Sequence, residues 1–274
     1  MRLCLCWILL MCFNSLTDEN TVPAAEPAPR PEIVAHRGAS FEAPENTRAS
    51  VKLAWEQGAD AVEIDVYLTV DNKIVLMHDK TPKRYGGPDR PVAEMTWAEL
   101  STLDVGAWKD PHWRGETVPL LEEVLPLTPA GKRLYIEIKS GPEIVPYLKT
   151  VLEQSGQSAE KLVIIAFSEE VVASVRRLIP HLTTYWLVSV KEKDGDLQPK
   201  SDEIIRIARR LEVPGVDIGG KYTREIVAAI RDSGLQVLAW TINEPAQARE
   251  AVSWGIIGIT TDKPALMLRE FTIP

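Results

Sequence analysis

The stretch Ala61–Lys80, AVEIDVYLTVDNKIVLMHDK, decides between two architectures. Read as a strand, its first residues turn Val62, Ile64 and Val66 to one face and Glu63 and Asp65 to the other, because side chains alternate with a period of two. On a solvated edge strand two acids are ordinary. In a parallel sheet covered on both faces, each buried carboxylate is costly unless something offsets its charge. Downstream, Tyr67–Val70 and Ile74–Met77 flank Asp71-Asn72-Lys73, which predicts a hairpin rather than a further independent strand.

The rest of the chain favours the covered sheet. Short apolar, β-rich runs recur at Ile33–Ala35, Ala61–Leu68, Leu134–Ile138, Leu162–Phe167, Thr184–Val188, Gly215–Ile218, Gln236–Trp240 and Ile256–Thr260. Between them lie amphipathic segments at Thr47–Gln57, Leu120–Leu127, Glu143–Gln154, Glu169–Leu178, Asp202–Leu211, Arg224–Asp232 and Pro245–Trp254, with Gly58, Gly234 and Gly255 as stop signals. Strand–helix alternation of this length predicts an α/β fold, a TIM (β/α)8 barrel. A doubly wound open sheet is the competing architecture, but no GxGxxG or P-loop follows the first strand. The connection 67–117 is then a small insertion between strand 2 and helix 2, lying over the carboxyl end of the barrel. The 274 residues, 45% hydrophobic and 26% charged, suit one large domain, since α/β barrels run to about 200–250 residues as single units.

A net charge of −8 without a Lys/Arg run argues against nucleic acid or an anionic membrane surface as partner. Residues 1–20 differ in kind. Leu3–Phe13, LCLCWILLMCF, follows a single Arg2 and is shorter than the ~20 apolar residues of a membrane-spanning helix, so it is read as an export signal. Cleavage is expected near Ala24 or Ala25, or at Cys12, where LLMC loosely resembles a lipoprotein box with Met11 bulkier than usual. The protein is thus expected to be exported, periplasmic or secreted, with a membrane met only through a lipid anchor at Cys12. Cys4, Cys6 and Cys12 are the three cysteines of the chain, which leaves no thiol chemistry for residues 32–274, the expected barrel. Residues 21–31, TVPAAEPAPRP, form a Pro/Ala linker.

In a (β/α)8 barrel the carboxyl ends of the strands carry the active site. Glu63 and Asp65 end strand 2 with matching parity, and Glu137 and Lys139 in YIEIK end the next strand in the same way. Three carboxylates in one dry mouth repel one another unless a divalent cation neutralises them, and all-oxygen ligands suit a hard ion, Ca2+ or Mg2+. The bland alternative is a structural salt-bridge cluster. Of the four histidines, His36 ends strand 1 in VAHRGAS and His78 ends the hairpin in LMHDK, whereas His112 and His181 fall in surface segments. Two histidines beside a metal cluster form an acid/base pair, and Arg37 with Lys139 would clamp a phosphate. Gly38 would let the backbone approach such a ligand. No GxSxG setting supports a serine esterase.

These residues belong to a longer series. HRG (36–38), APENT (43–47), VEIDV (62–66), MHD (77–79), VPLLEEVL (118–125), IEIK (136–139), AWTIN (239–243) and TTDKP (260–264) resemble, in order, the motifs of bacterial glycerophosphodiester phosphodiesterases, over residues 33–270. The resemblance implies metal ligation by Glu63, Asp65 and Glu137, acid/base roles for His36 and His78, phosphate contacts from Arg37 and Lys139, and a substrate-facing Trp240. It implies hydrolysis of a glycerophosphodiester to an alcohol and sn-glycerol 3-phosphate. The rivals are a phospholipase C/D-type barrel acting on lysolipids or sphingolipids with a cyclic phosphate product, and a non-enzymatic binding protein that keeps the barrel. Other motif residues have plainer expectations: Asn46 or Thr47 as a helix cap or a substrate contact, Glu45 as either or as a supporting residue, Asp262 capping or orienting the final loop, Trp108 and Trp113 as the insertion's own core, and KEKDGDLQPKSD as a solvated loop.

Overall fold

The computed structural model describes residues 30–272; the expected leader with Cys12, and the linker up to residue 29, lie outside the described residues. The strands are β1 (Glu32–Ala35), β2 (Ala61–Leu68), β3 (Ile74–Leu76), β4 (Arg133–Ile138), β5 (Leu162–Ala166), β6 (Thr183–Lys193), β7 (Asp196–Gln198), β8 (Gly215–Gly220), β9 (Gln236–Trp240) and β10 (Gly258–Thr261). All except β3 and β7 are parallel neighbours in the order β1-β2-β4-β5-β6-β8-β9-β10, and β10 pairs back onto β1, which closes an eight-stranded barrel. Its helices are α1 (Arg48–Glu56), α3 (Leu121–Val124), α4 (Val145–Ser155), α5 (Glu169–Leu178), α6 (Ser201–Arg210), α7 (Arg224–Asp232), α8 (Pro245–Ser253) and α9 (Pro264–Thr272), while α2 (Trp97–Leu100) belongs to the insertion. This is the TIM barrel the alternation predicts.

Three local outcomes differ from the pattern. The single helix expected over Leu120–Leu127 is a short α3 followed by a 3-10 turn at Leu125–Leu127, because Pro126 has no N–H to continue the ladder. KEKDGDLQPKSD is not a loop: β6 runs on to Lys193 and pairs antiparallel with β7. The sequence pattern also did not reveal α9, which completes the eighth unit.

Alternation along each strand sorts side chains into two layers. On β2, Val62, Ile64, Val66 and Leu68 face the helices in the large outer core, while Ala61 joins Val34, Tyr135, Val163, Tyr185 and Leu238 in the packing that fills the barrel. Asp65 sits opposite Glu137 of β4 in this register. At the amino-terminal end the interior is closed by a polar plug. Arg133 pairs with Glu32, the Tyr135 hydroxyl donates to Glu32 Oε2 at 2.6 Å, and the Tyr185 hydroxyl donates to Gln236 Oε1 at 2.6 Å. The hairpin is as expected, with Val66, Tyr67 and Leu68 opposite Leu76, Val75 and Ile74. Beyond it the insertion builds a small core of its own around Val75, Val92, Met95 and Leu100.

Candidate active site

The acids of β2 face inward and are buried: Glu63 is 2%, Asp65 0% and Glu137 8% exposed. One oxygen from each lies within 4.8 Å of the others. Glu63 Oε1 and Asp65 Oδ1 are buried without a hydrogen-bond partner. Burial, reinforced by Asp65 and Glu137, pushes Glu63 well above the ordinary carboxyl range. Burial and Asp65 push Glu137 up to about 7 against the pull of Lys139. Oxygens held together at this cost, with lone pairs left over, fit a hard divalent cation and fit a self-contained salt-bridge cluster poorly. Two cations are built into the same mouth. Lys139 Nζ lies 2.8 Å from Glu137 Oε1 and 3.5 Å from Asp65 Oδ1, and Arg37 Nε lies 3.3 Å from Asp65 Oδ2.

The loop after β1 presents His36 and Arg37. Arg37 adopts φ 55, in the left-handed region, and is held there by its N–H donating to Glu63 Oε2 at 2.9 Å and by Ser50 Oγ donating to its carbonyl at 2.9 Å. Gly38 is required by packing: a Cβ there would meet Ser50 of α1 at about 2.5 Å, and its φ is +81. Thr47 caps α1 by accepting from the Ser50 N–H at 3.1 Å. Its neighbour Asn46 clamps Asp65 instead, donating through Nδ2 to Oδ2 at 2.8 Å and accepting the Asp65 N–H at 2.9 Å.

Both histidines are oriented by carboxylates. His36 Nδ1 is 2.7 Å from Asp262 Oδ1, and Asn243 and Ser40 also donate to Asp262. Burial alone would raise Asp262, but these hydrogen bonds outweigh it and hold the group at about 2. Asp262 therefore positions a histidine and is more than a loop cap. The barrel's closure makes this legible in retrospect: β10 neighbours β1, so the residue after β10 meets the residue after β1. His78, carried by the insertion, has Nδ1 3.0 Å from Asp79 Oδ1. Burial lowers its pKa, which favours the neutral ring. Arg84 lies 2.9 Å from Asp79 and 2.6 Å from Glu45, and Glu45 lies 3.0 Å from Arg37, so a chain of ion pairs ties the insertion to the β1 loop.

His36, Arg37, Glu63, His78, Glu137, Lys139 and Trp240 line one cleft of about 210 Å³, with Ile165, Phe167, Leu187 and Asp217 on its walls. Asp65 sits beneath it. Trp240 packs against Gly219, where a Cβ would come within 2.5 Å of the ring, and meets Phe167 edge-on at 5.5 Å. A second groove opens on the far side of His36 and Arg37, between Phe41 and Trp108. Trp108 is 42% exposed there, with its ring tilted against Tyr85 at 6.1 Å, so it is a groove wall, not insertion core. Trp113 is half-buried against His112.

A parallel barrel whose mouth joins three clustered buried carboxylates, two oriented histidines and two cationic side chains has the parts of a phosphoric ester hydrolase site. Residues 36–266 match the model of the glycerophosphoryl diester phosphodiesterase family. A glycerophosphodiester phosphodiesterase of Bacillus subtilis is 32% identical over 253 residues, covering 85% of this chain and 84% of its own. That of Caldanaerobacter subterraneus is 30% identical over 243 residues, covering 86% and 96%. Among solved structures, a phosphodiesterase of Oleispira antarctica in complex with the product sn-glycerol-3-phosphate superposes with a TM-score of 0.79, at 29% identity, over 89% of this chain and 98% of that one. The chain belongs to the glycerophosphoryl diester phosphodiesterase family and is an enzyme of that kind, a glycerophosphodiester phosphodiesterase.

Proposed function

We propose that the protein hydrolyses small glycerophosphodiesters to an alcohol and sn-glycerol 3-phosphate, using His36 and His78 as the proton-transfer pair and one divalent cation, Ca2+ or Mg2+, held by Glu63, Asp65 and Glu137. The carrying observation is the pair of buried oxygens left without a hydrogen bond, Glu63 Oε1 and Asp65 Oδ1, at a cleft that both histidines line. The cation, when bound, would offset the carboxylates and polarise the phosphate. Arg37 and Lys139 would hold the phosphate oxygens. His78, kept neutral by burial and with Nδ1 on Asp79, offers Nε2 as proton acceptor to a water whose oxygen bonds to phosphorus as the P–O bond to the alcohol breaks. His36 borders both the cleft and the outer groove, which suits it to hand a proton to an alcohol leaving through that groove while Asp262 fixes its ring. Trp240 would carry the carbon backbone of glycerol.

The exposed rings of Phe41 and Trp108 beside this exit favour a second reading, in which an apolar group of a lysolipid lies in the groove and a cyclic phosphate is released. Phosphorus NMR of the products from glycerophosphocholine and from a lysolipid, each with Ca2+ or Mg2+, tests both. Glycerol 3-phosphate from the first substrate is expected. A cyclic end product, or preference for the lysolipid, would replace the first reading with the second. We further propose export, with mass spectrometry of the mature amino terminus as its test: a start after about residue 20, or a lipidated Cys12, is expected, and an intact Met1 in a cytoplasmic fraction refutes it.

A further inference from the structure

The wall of the cleft formed by Ile165, Phe167, Leu187 and Trp240 is apolar except at one point. On β8, Val216 and Ile218 face the outer core. The inward positions are Gly215, Asp217 and Gly219, so Asp217 is the single side chain this strand turns into the barrel. It is 1% exposed, it lines the cleft, and its Oδ1 has no hydrogen-bond partner. Its neighbours in register, Leu187 and Leu238, can offer none. The nearby Trp240 indole N–H is already used, donating to the Asp217 backbone carbonyl at 3.2 Å. Asp217 also lies outside the group of three carboxylates whose oxygens can share an ion.

An unpartnered buried carboxyl costs stability and persists where a ligand completes it. Glycerol presents hydroxyls that must exchange water for partners on entering the cleft, and a carboxyl can serve them. Its oxygens accept from substrate hydroxyls in either protonation state. Thr241 and Thr260 share the lining, but neither has an orphaned buried oxygen.

We infer that Asp217 hydrogen-bonds the glycerol hydroxyls of the substrate and sets the preference for glycerol-bearing diesters over diesters without hydroxyls; this rests on the function proposed above. The test compares kcat/KM for glycerophosphocholine with that for bis(4-nitrophenyl) phosphate, which has no hydroxyl, in the full chain supplied with Mg2+ or Ca2+. In Asp217→Leu the ratio of the two is expected to fall by about 100-fold. In Asp217→Asn, which keeps a donor and an acceptor, the fall should be smaller. The melting temperature of Asp217→Leu should equal or exceed that of the parent, and the half-saturating metal concentration should not move. An unchanged ratio in both variants overturns the inference. So does an equal loss on both substrates with lowered stability, which marks a structural residue, or a shifted metal requirement with the ratio intact, which marks part of the cation site. A parent protein that cleaves the aryl diester but no glycerophosphodiester overturns the proposed function itself and this inference with it.

Discussion

The two ends of the barrel interior both bury charge, and they treat it in opposite ways. At the amino-terminal end Glu32 meets Arg133 and Tyr135, and Tyr185 meets Gln236, so each polar group finds its partner within the fold. At the carboxyl end Glu63, Asp65, Glu137 and Asp217 meet Arg37, Lys139 and Asn46, and three of the four acids still have an oxygen without a hydrogen bond. The first arrangement is complete without a ligand and stabilises the barrel. The second is incomplete by construction, which makes it a site. In a (β/α)8 barrel this division follows the direction of the strands.

The largest effect expected from this contrast is loss of the cation. Chelation should lower kcat/KM by at least about 10³-fold, since a metal supplies several kcal/mol of charge stabilisation, and Asp65→Asn should reproduce it. Full activity in excess chelator, with no metal found by elemental analysis, would leave the mouth as no more than an ion-pair cluster. Next, His36→Ala and His78→Ala should each lose about 10²–10⁴-fold in kcat, against near-neutral His112→Ala and His181→Ala, both exposed. Equal modest losses at all four would remove the distinction between mouth and surface.

A smaller effect is the pH response of the chelated protein. Glu63 and Glu137 are raised in the fold, Glu137 from 4.5 to about 7. A raised carboxyl contributes stability that is present below its unfolded value and lost as pH rises through the folded value. The melting temperature without metal should therefore fall between about pH 5 and pH 7.5, and added cation should flatten that slope. A metal-free protein that gains stability over this interval would contradict an excess of carboxylates over cations in the mouth. The smallest effect on activity belongs to the other end: Glu32→Gln should cost about 1–2 kcal/mol of unfolding free energy in a denaturant titration, with kcat unchanged. A drop in kcat there would show that the two ends are not separable.

The sequence was most informative where burial and period coincide. VEIDV and IEIK put charged residues at every second position among β-branched residues, and once strand ends are known to meet at one mouth, Glu63, Asp65, Glu137 and Lys139 follow from parity. Eight such runs separated by amphipathic segments left little freedom in the fold class. His36, His78, Arg37 and Lys139 were legible for the same reason, each standing at a strand or hairpin end. Asp217 carried the same signal in VDIGG, one inward acid between glycines.

What only the tertiary structure decided were the partners. Asn46 clamps Asp65 from 19 positions away and Asp262 meets His36 across 226 positions; nothing local distinguishes either from a cap. Trp108 belongs to a groove and Gly38 to a helix contact because of neighbours brought in by other elements. Periodicity is a property of one strand or helix and survives in the sequence, whereas a hydrogen bond between loops depends on how the barrel closes, and that geometry exists only when all eight units are in place.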